Sequence, residues 1–335
     1  MGFDAEIRRI AVQKIEERRR QAETQAQMRK NAFYAKEPRA KELDSAIAGA
    51  AYSVFSNILI GNVAKENAEA ELYKNRSELI RQREVLYKKH GIIHEDLLPK
   101  YHCKFCEDTG FVEGLQCKCL KNQMILTAAE LANLPDDPSA VFKNFDLSYY
   151  SDEPQKNAEA SPREYAKIAY DVCKQFARDF QKTKKNLYIY GSAGLGKTFL
   201  SFCIAHEVLK KGNSVLYQSA GALFKLLTDA AFGRELSDKD AYIIERAHHA
   251  DLLIIDDLGT EFGNDYSKTA FFQLLNERIT SGLSTIINSN IDIGQISALY
   301  TDRIFSRLTG AYAAVNLIGT DIRQIQKKKV QEGIL

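Results

Sequence analysis

Residues 186–200, NLYIYGSAGLGKTFL, decide how the fold is read. The octet GSAGLGKT at 191–198 fits G-x-x-x-x-G-K-[ST], directly after the apolar run NLYIYG and before the helix-like run TFLSFCIAHEVLKK. Glycines at this spacing let backbone N–H groups curl around phosphate oxygens, and the helix N-terminus adds partial positive charge. Lys197 is then expected to reach the β- and γ-phosphates and Thr198 to hold Mg²⁺. Gly191, Ser192, Ala193, Gly194, Leu195, Gly196 and Phe199 complete the expected ATP-binding loop.

Outward from the loop, short apolar runs alternate with helix-length segments: SVLYQS at 214–219, DLLIIDD at 251–257, STIINSN at 284–290 and AAVNLIG at 313–319. Such alternation predicts an α/β fold, a parallel sheet flanked by helices on both faces. Asp256 closes a buried strand and is expected in the Mg²⁺ shell. Asp257 is the candidate for orienting or deprotonating an attacking water, with Glu261 as the alternative four residues on. Asn290 ends the next strand and either reaches the γ-phosphate region or forms a turn. Arg303 and Arg307 lie four apart and so on one helix face. Arg323 follows the last strand.

In this order and at these intervals, GSAGLGKT, LLIIDDLGTE, IINSN, DRIFSRL and GTDIR resemble the P-loop AAA+ ATPases of the bacterial DnaC/DnaI helicase-loader group, with the transposase-associated IstB ATPases as siblings. The resemblance covers roughly residues 140–325. It implies Walker A at Lys197 and Thr198, Walker B at Asp256 and Asp257, sensor 1 at Asn290 and sensor 2 at Arg323. Arg307 is implied as an arginine finger offered to a neighbouring subunit, with Arg303 as runner-up. The implied function is that of an ATPase delivering a hexameric replicative DNA helicase onto single-stranded DNA, with self-assembly on ATP or DNA. The alternative is an IstB-like ATPase assisting a transposase in selecting target DNA. Lys225 and Phe224 are expected to help hold single-stranded DNA through phosphate contact and base stacking.

The N-terminal part reads differently. Residues 4–36 form a charged helix with a thin apolar stripe (Ile7, Ile10, Ala11, Ile15), a candidate for docking on a partner. Leu43, Ile47, Ala50, Val54 and Ile58 recur at helical spacing, and Leu72, Leu79 and Leu86 repeat by sevens, which predicts a helical hairpin or short coiled coil. Residues 101–119, YHCKFCEDTGFVEGLQCKC, hold four of the six cysteines. Clustered thiols in a protein expected to be cytosolic point to metal rather than disulfides. Cys103, Cys106, Cys117 and Cys119, spaced C-x₂-C-x₁₀-C-x-C, suit tetrahedral Zn²⁺, with His102 as a substitute ligand for the tight last pair. A redox or packing role is the alternative. The module is expected to shape a partner-binding surface; Lys100, Lys104, Lys118 and Lys121 make direct DNA binding a secondary reading. Cys173 and Cys203 are expected to be buried small residues.

Residues 135–162 hold four of the six prolines and read as a linker. The expected organisation is a helical N-terminal partner-binding region at 1–98, a zinc-binding module at 99–134, a linker at 135–162 and the AAA+ ATPase domain at 163–335. Net charge is +2, yet residues 1–41 carry eleven Lys/Arg against six Asp/Glu. Such a run is a solvated helix face or a contact with an acidic partner. No apolar run is long enough for a membrane span, so a cytoplasmic protein is expected.

Overall fold

The computed structural model describes residues 3, 5–59, 65–135, 137–155, 159–259 and 265–331, with the side chains of 50–59, 65–72 and 329 left aside. The chain forms two compact units, Ala11–Lys121 and Met1–Ile10 with Asn122–Leu335.

In the first unit, α1 (Ala5–Lys36) from Ala11 onward, α2 (Pro38–Leu59) and α3 (Lys65–Lys89) match the helices expected from the sequence, with α2 and α3 side by side. Pro38 opens α2, where a missing N–H costs nothing. Asp44 on α2 ties the three helices together, accepting hydrogen bonds from Tyr34 Oη (2.6 Å), Tyr87 Oη (3.1 Å) and Arg83 Nη1 (3.1 Å). The apolar stripe read as a partner surface is corrected in part: Ile7, Ala11 and Ile15 are buried. A β-hairpin follows, β1 (Phe111–Val112) paired with β2 (Leu115–Gln116). Its two-residue turn, Glu113-Gly114, has positive φ at both positions, the geometry whose twist suits a tight hairpin. The first helices and the cysteine segment, expected as separate modules, belong to one unit. Arg18 on α1 pairs with the buried Asp108 at 3.1 Å, and Arg29 donates to the Asp96 and Leu98 carbonyls. Helix α4 (Lys118–Leu131) begins at the last cysteines.

The second unit is the predicted α/β sheet. Helix α5 (Pro162–Asp179) starts with a capping box, Ser161 and Glu164 satisfying each other's backbone N–H groups. Then come β3 (Asn186–Tyr190), α6 (Lys197–Lys210), β4 (Val215–Ser219), α7 (Ala220–Ala231), α8 (Asp238–His249) and β5 (Leu252–Leu258). The series ends with α9 (Asp265–Ser281), β6 (Ser284–Ser289), α10 (Ile296–Leu299), α11 (Asp302–Ala311), β7 (Tyr312–Asn316) and α12 (Ile322–Gln331). All five expected strands are present, in the parallel order β4-β5-β6-β3-β7.

Alternation along the strands assigns the two faces. Tyr188, Leu216, Leu253, Ile255 and Ile287 join Leu223, Phe224, Phe271, Leu274, Ile304 and Leu308 of α7, α9 and α11 in one apolar core. Phe224, expected to stack on DNA, is only 3% exposed, its ring 4.8 Å from that of Phe271; the helix turns it inward and leaves Lys225 exposed. Residues of opposite parity, Tyr217, Asp256 and Asn288 among them, face α6. Cys173 and Cys203 are buried as expected, and burial raises both thiol pKa values.

The expected linker is also corrected. Residues 142–150 form two 3₁₀ turns, Phe142–Asn144 and Leu147–Tyr149, laid against the glycine loop. Tyr150 is 3% exposed, and its hydroxyl donates to the Leu195 carbonyl at 2.8 Å. The prolines and polar residues that suggested a linker flank a run with four aromatics, and burying those rings fixes the segment.

Candidate functional site

The glycine loop leaves the C-terminal end of β3, where β6 lies on one side and β7 on the other, the switch point at which open α/β sheets bind ligands. Gly191, Gly194 and Gly196 all have positive φ, at 139°, 74° and 86°. Two of them also lack room for a side chain: a Cβ would stand 1.9 Å from the Leu317 carbonyl oxygen at Gly191 and 2.0 Å from Asp321 Oδ1 at Gly194.

Lys197 opens α6 and is 5% exposed. Its ammonium donates to the carbonyls of Gly191 and Ser192, both at 2.8 Å, and to Asn290 Oδ1 at 2.7 Å. Burial lowers its pKa, against the opposing charges of Asp257 and Asp256. Asn290 occupies this position because β6 lies between β5 and β3, so its C-terminal end falls between the loop and Asp256.

Asp256 is 4% exposed. It accepts from Thr198 Oγ1 at 3.0 and 3.2 Å, from Tyr217 Oη at 2.9 Å and from Asn288 Nδ2 at 2.8 Å. Ser201, one turn beyond Thr198, donates to Asn288 Oδ1 at 2.9 Å and fixes which way that amide faces. Asp257 differs from its neighbour. Its φ is 58°, and the β5–β6 register shifts between Ile255 and Leu258, so the chain turns its carboxylate into the cavity. Burial, then the charge of Asp256, raises its pKa.

A cavity of about 510 Å³ opens beside these groups. Ala193, Gly194, Leu195, Gly196, Lys197, Thr198, Phe199, Asp257, Asn290 and Arg323 line it, opposite Asn144, Phe145, Tyr149 and Tyr150. The Phe145 ring lies 6.2 Å from Phe199 and 5.7 Å from Tyr150, forming an aromatic wall. Arg323 is clamped by Asp321, Nη2 to Oδ2 at 2.9 Å and Nε to Oδ1 at 3.1 Å. The Ile322 N–H donates to the Gly194 carbonyl, joining this turn to the loop. Arg303 and Arg307 are exposed on α11, whose Ile304 and Leu308 are buried; neither lines the cavity. Glu261 lies outside the described residues. The sequence reading missed Tyr217, Asn288, Ser201 and the aromatic wall.

In the other unit the four cysteine sulfurs lie within 4.8 Å of one another, with Cys103–Cys117 at 3.8 Å and Cys106–Cys119 at 3.3 Å. Tetrahedral zinc with bonds of about 2.3 Å needs sulfurs about 3.8 Å apart, so the donor set fits. His102 is outside this group, its side chain exposed and its N–H donated to Asp108. Asp108 also accepts from the Cys103 N–H at 3.0 Å, pinning the first knuckle. Burial opposes ionisation of both Cys106 and Cys119, but hydrogen bonds from the other thiols bring Cys106 down to about 7.

A glycine loop at a switch point, facing paired strand-end carboxylates and an asparagine at the end of the neighbouring strand, defines a P-loop nucleotide-binding protein of the AAA+ type. The chain belongs to the IstB-like ATP-binding protein family, whose model matches residues 123–329. Among relatives, the chromosomal replication initiator protein DnaA of Zymomonas mobilis is 33% identical over 160 residues, covering 47% of this chain and 32% of its own length. The insertion sequence ATP-binding protein y4pL of Sinorhizobium fredii is 30% identical over 156 residues, 45% of this chain and 62% of that protein. The replicative helicase loader DnaC of Buchnera aphidicola is 26% identical over 135 residues, 40% of this chain and 54% of that protein. The chain thus spans less than two thirds of each of these relatives.

Proposed function

We propose that this chain is an ATPase that binds a hexameric replicative DNA helicase and delivers it onto single-stranded DNA. The observation that carries the ATPase part is the pairing of Lys197 with Asn290 and of Thr198 with Asp256 at one cavity. Lys197 and the loop N–H groups would bind the β- and γ-phosphates. Thr198 and Asp256 would hold Mg²⁺, which when bound neutralises phosphate charge. Asp257 would orient the attacking water, Asn290 would contact the γ-phosphate, and Arg323 would reach it on release from Asp321. Arg307, with Arg303 as alternative, would act on the nucleotide of a neighbouring subunit, so that hydrolysis requires assembly. The aromatic wall would receive the base. Cys103, Cys106, Cys117 and Cys119 would hold structural Zn²⁺, supplying folding free energy that so short a segment lacks.

Helicase loading is supported by the DnaC relative and by the helical and cysteine unit, which falls outside the family match at 123–329. A second reading, an ATPase assisting a transposase in target DNA selection, is favoured by the family match itself and by y4pL. Co-purification of the full chain with the replicative helicase of the same cell separates the two. Helicase capture that is lost in Cys103→Ser/Cys106→Ser while ATP binding persists is the expected result. Capture of a transposase instead, with no helicase bound, would favour the second reading.

A further inference from the structure

The Asp256 carboxylate is held from both sides of its strand. On β6, Asn288 is 0% exposed and donates to Oδ1; on β4, the sheet's edge strand, Tyr217 donates to Oδ2. Beyond Thr198, which lies near both oxygens, one further donor on each oxygen fixes the plane of the carboxylate as well as its position; with either removed, it turns more freely about its last torsion. The Tyr217 hydroxyl is therefore more than a neighbour of Asp256.

Tyr217 is itself braced. Its backbone N–H donates to the Ala132 carbonyl at 2.8 Å, and its carbonyl accepts from Asn133 Nδ2 at 3.2 Å. Asn133 follows the end of α4 with φ 54°, the left-handed conformation that asparagine tolerates better than most residues. The outer edge of β4 is thus paired at the residue that reaches Asp256. The Phe202 ring, 5.1 Å away and nearly edge-on, sets the tilt of the tyrosine ring.

We propose that Tyr217 is a positioning residue for the Mg²⁺-holding carboxylate, and that Asn133 supports it from the sheet edge. The inference rests on the reading of Asp256 given above. Tyr217 is not among the residues lining the cavity; it would act by holding Asp256 where it and Thr198 face one ion.

The test uses the full chain and a fluorescent ATP analogue, titrated first in EDTA and then with Mg²⁺ at saturating nucleotide, with the thermal midpoint recorded for each variant. Tyr217→Phe is expected to bind nucleotide in EDTA within about twofold of the parent, as the Lys197 loop is untouched. It should need roughly tenfold more Mg²⁺, the effect of one lost hydrogen bond to a charged group. Asn133→Gly, which keeps the left-handed turn but removes the amide, should shift the Mg²⁺ requirement in the same direction by a smaller factor. Asp256→Asn serves as the reference and should abolish the Mg²⁺ response. If Asp256→Asn keeps the response, the reading of Asp256 is wrong and the positioning role goes with it. If Asp256→Asn loses the response while Tyr217→Phe titrates like the parent, the positioning role alone is overturned. A Tyr217→Phe variant weakened equally in EDTA and Mg²⁺, with a lowered midpoint, would make Tyr217 merely structural and likewise overturn the proposal.

Discussion

Lys197 Nζ lies 2.7 Å from Asn290 Oδ1, so the loop after β3 and the end of β6 share a hydrogen bond across the site. The ammonium is held over the loop by this amide and two loop carbonyls, and on the proposed reading it transfers these hydrogen bonds to phosphate oxygens. Lys197→Ala is expected to abolish ATP binding. Asn290→Ala should leave binding within a few-fold and lower hydrolysis by about 10²-fold, the size of losing one polar contact made in the transition state. Equilibrium binding and single-turnover hydrolysis on the same variants check both.

Asp257 is expected to give hydrolysis its acid limb. Burial and the adjacent Asp256 raise its pKa above the ordinary 3.8, and the role proposed for it needs the ionised form. Hydrolysis should therefore fall as pH drops through a value above that of an ordinary aspartate, and Asp257→Asn should remove most of the activity. The sign for stability is the opposite. A carboxyl with a raised native pKa binds its proton more tightly when folded, so the native state loses stability as pH rises past 3.8. Asp257→Asn is then expected to raise the thermal midpoint slightly at neutral pH, measured by thermal unfolding at several pH values.

At Gly194, φ is 74° and a Cβ would meet Asp321 Oδ1 at 2.0 Å. Gly194→Ala must displace Asp321, and with it the clamp on Arg323 and the N–H donated by Ile322. We expect nucleotide affinity to drop at least about tenfold, given a strained backbone position together with lost contacts. Far-ultraviolet circular dichroism should remain unchanged, which separates a damaged loop from an unfolded chain.

The sequence made the phosphate loop legible because its chemistry is local: glycine, lysine and threonine act within eight consecutive residues. The five strands were equally plain, since a sheet covered on both faces needs uninterrupted apolar runs. What supports Asp256 was not legible. Tyr217 and Asn288 sit inside such runs, and they meet Asp256 only once β4, β5 and β6 are in register. Their parity, the same as that of Asp256 relative to each strand's pairing, was a signal, but it could be read only with the strand order known. Residues 142–150 were misread because proline and polar residues outweighed Phe142, Phe145, Tyr149 and Tyr150. Phe224 failed for a simpler reason, as its helix face is set by α7 packing on α9.

Asp108 makes the cysteine unit testable without touching a thiol. It is 0% exposed and accepts from Arg18 and from the N–H groups of His102 and Cys103. Asp108→Ala leaves those donors without their acceptor, at a cost of about 2–4 kcal/mol. Metal analysis of the parent is expected to give one zinc per chain, and the variant should release zinc to a chelator faster. Zinc retained as tightly as in the parent would show that Asp108 holds the backbone without shaping the donor set.

Arg303 and Arg307 share the exposed face of α11, while Ile304 and Leu308 anchor the opposite face in the core. Replacing either arginine removes little packing, so Arg303→Ala and Arg307→Ala should stay within about 0.5 kcal/mol of the parent in stability. Neither side chain lines the cavity of its own chain, so on the proposed reading an effect on hydrolysis is expected to come through a second copy. Arg307→Ala is expected to bind ATP normally yet lose the rise in specific activity with protein concentration or added single-stranded DNA. Mixing it with an Asp257→Asn chain should restore part of that activity, because one chain then supplies the intact cavity and the other the arginine. Failure of the mixture, with both chains assembling normally, would place the hydrolytic groups within one subunit; restoration with Arg303→Ala instead would move the finger one helical turn.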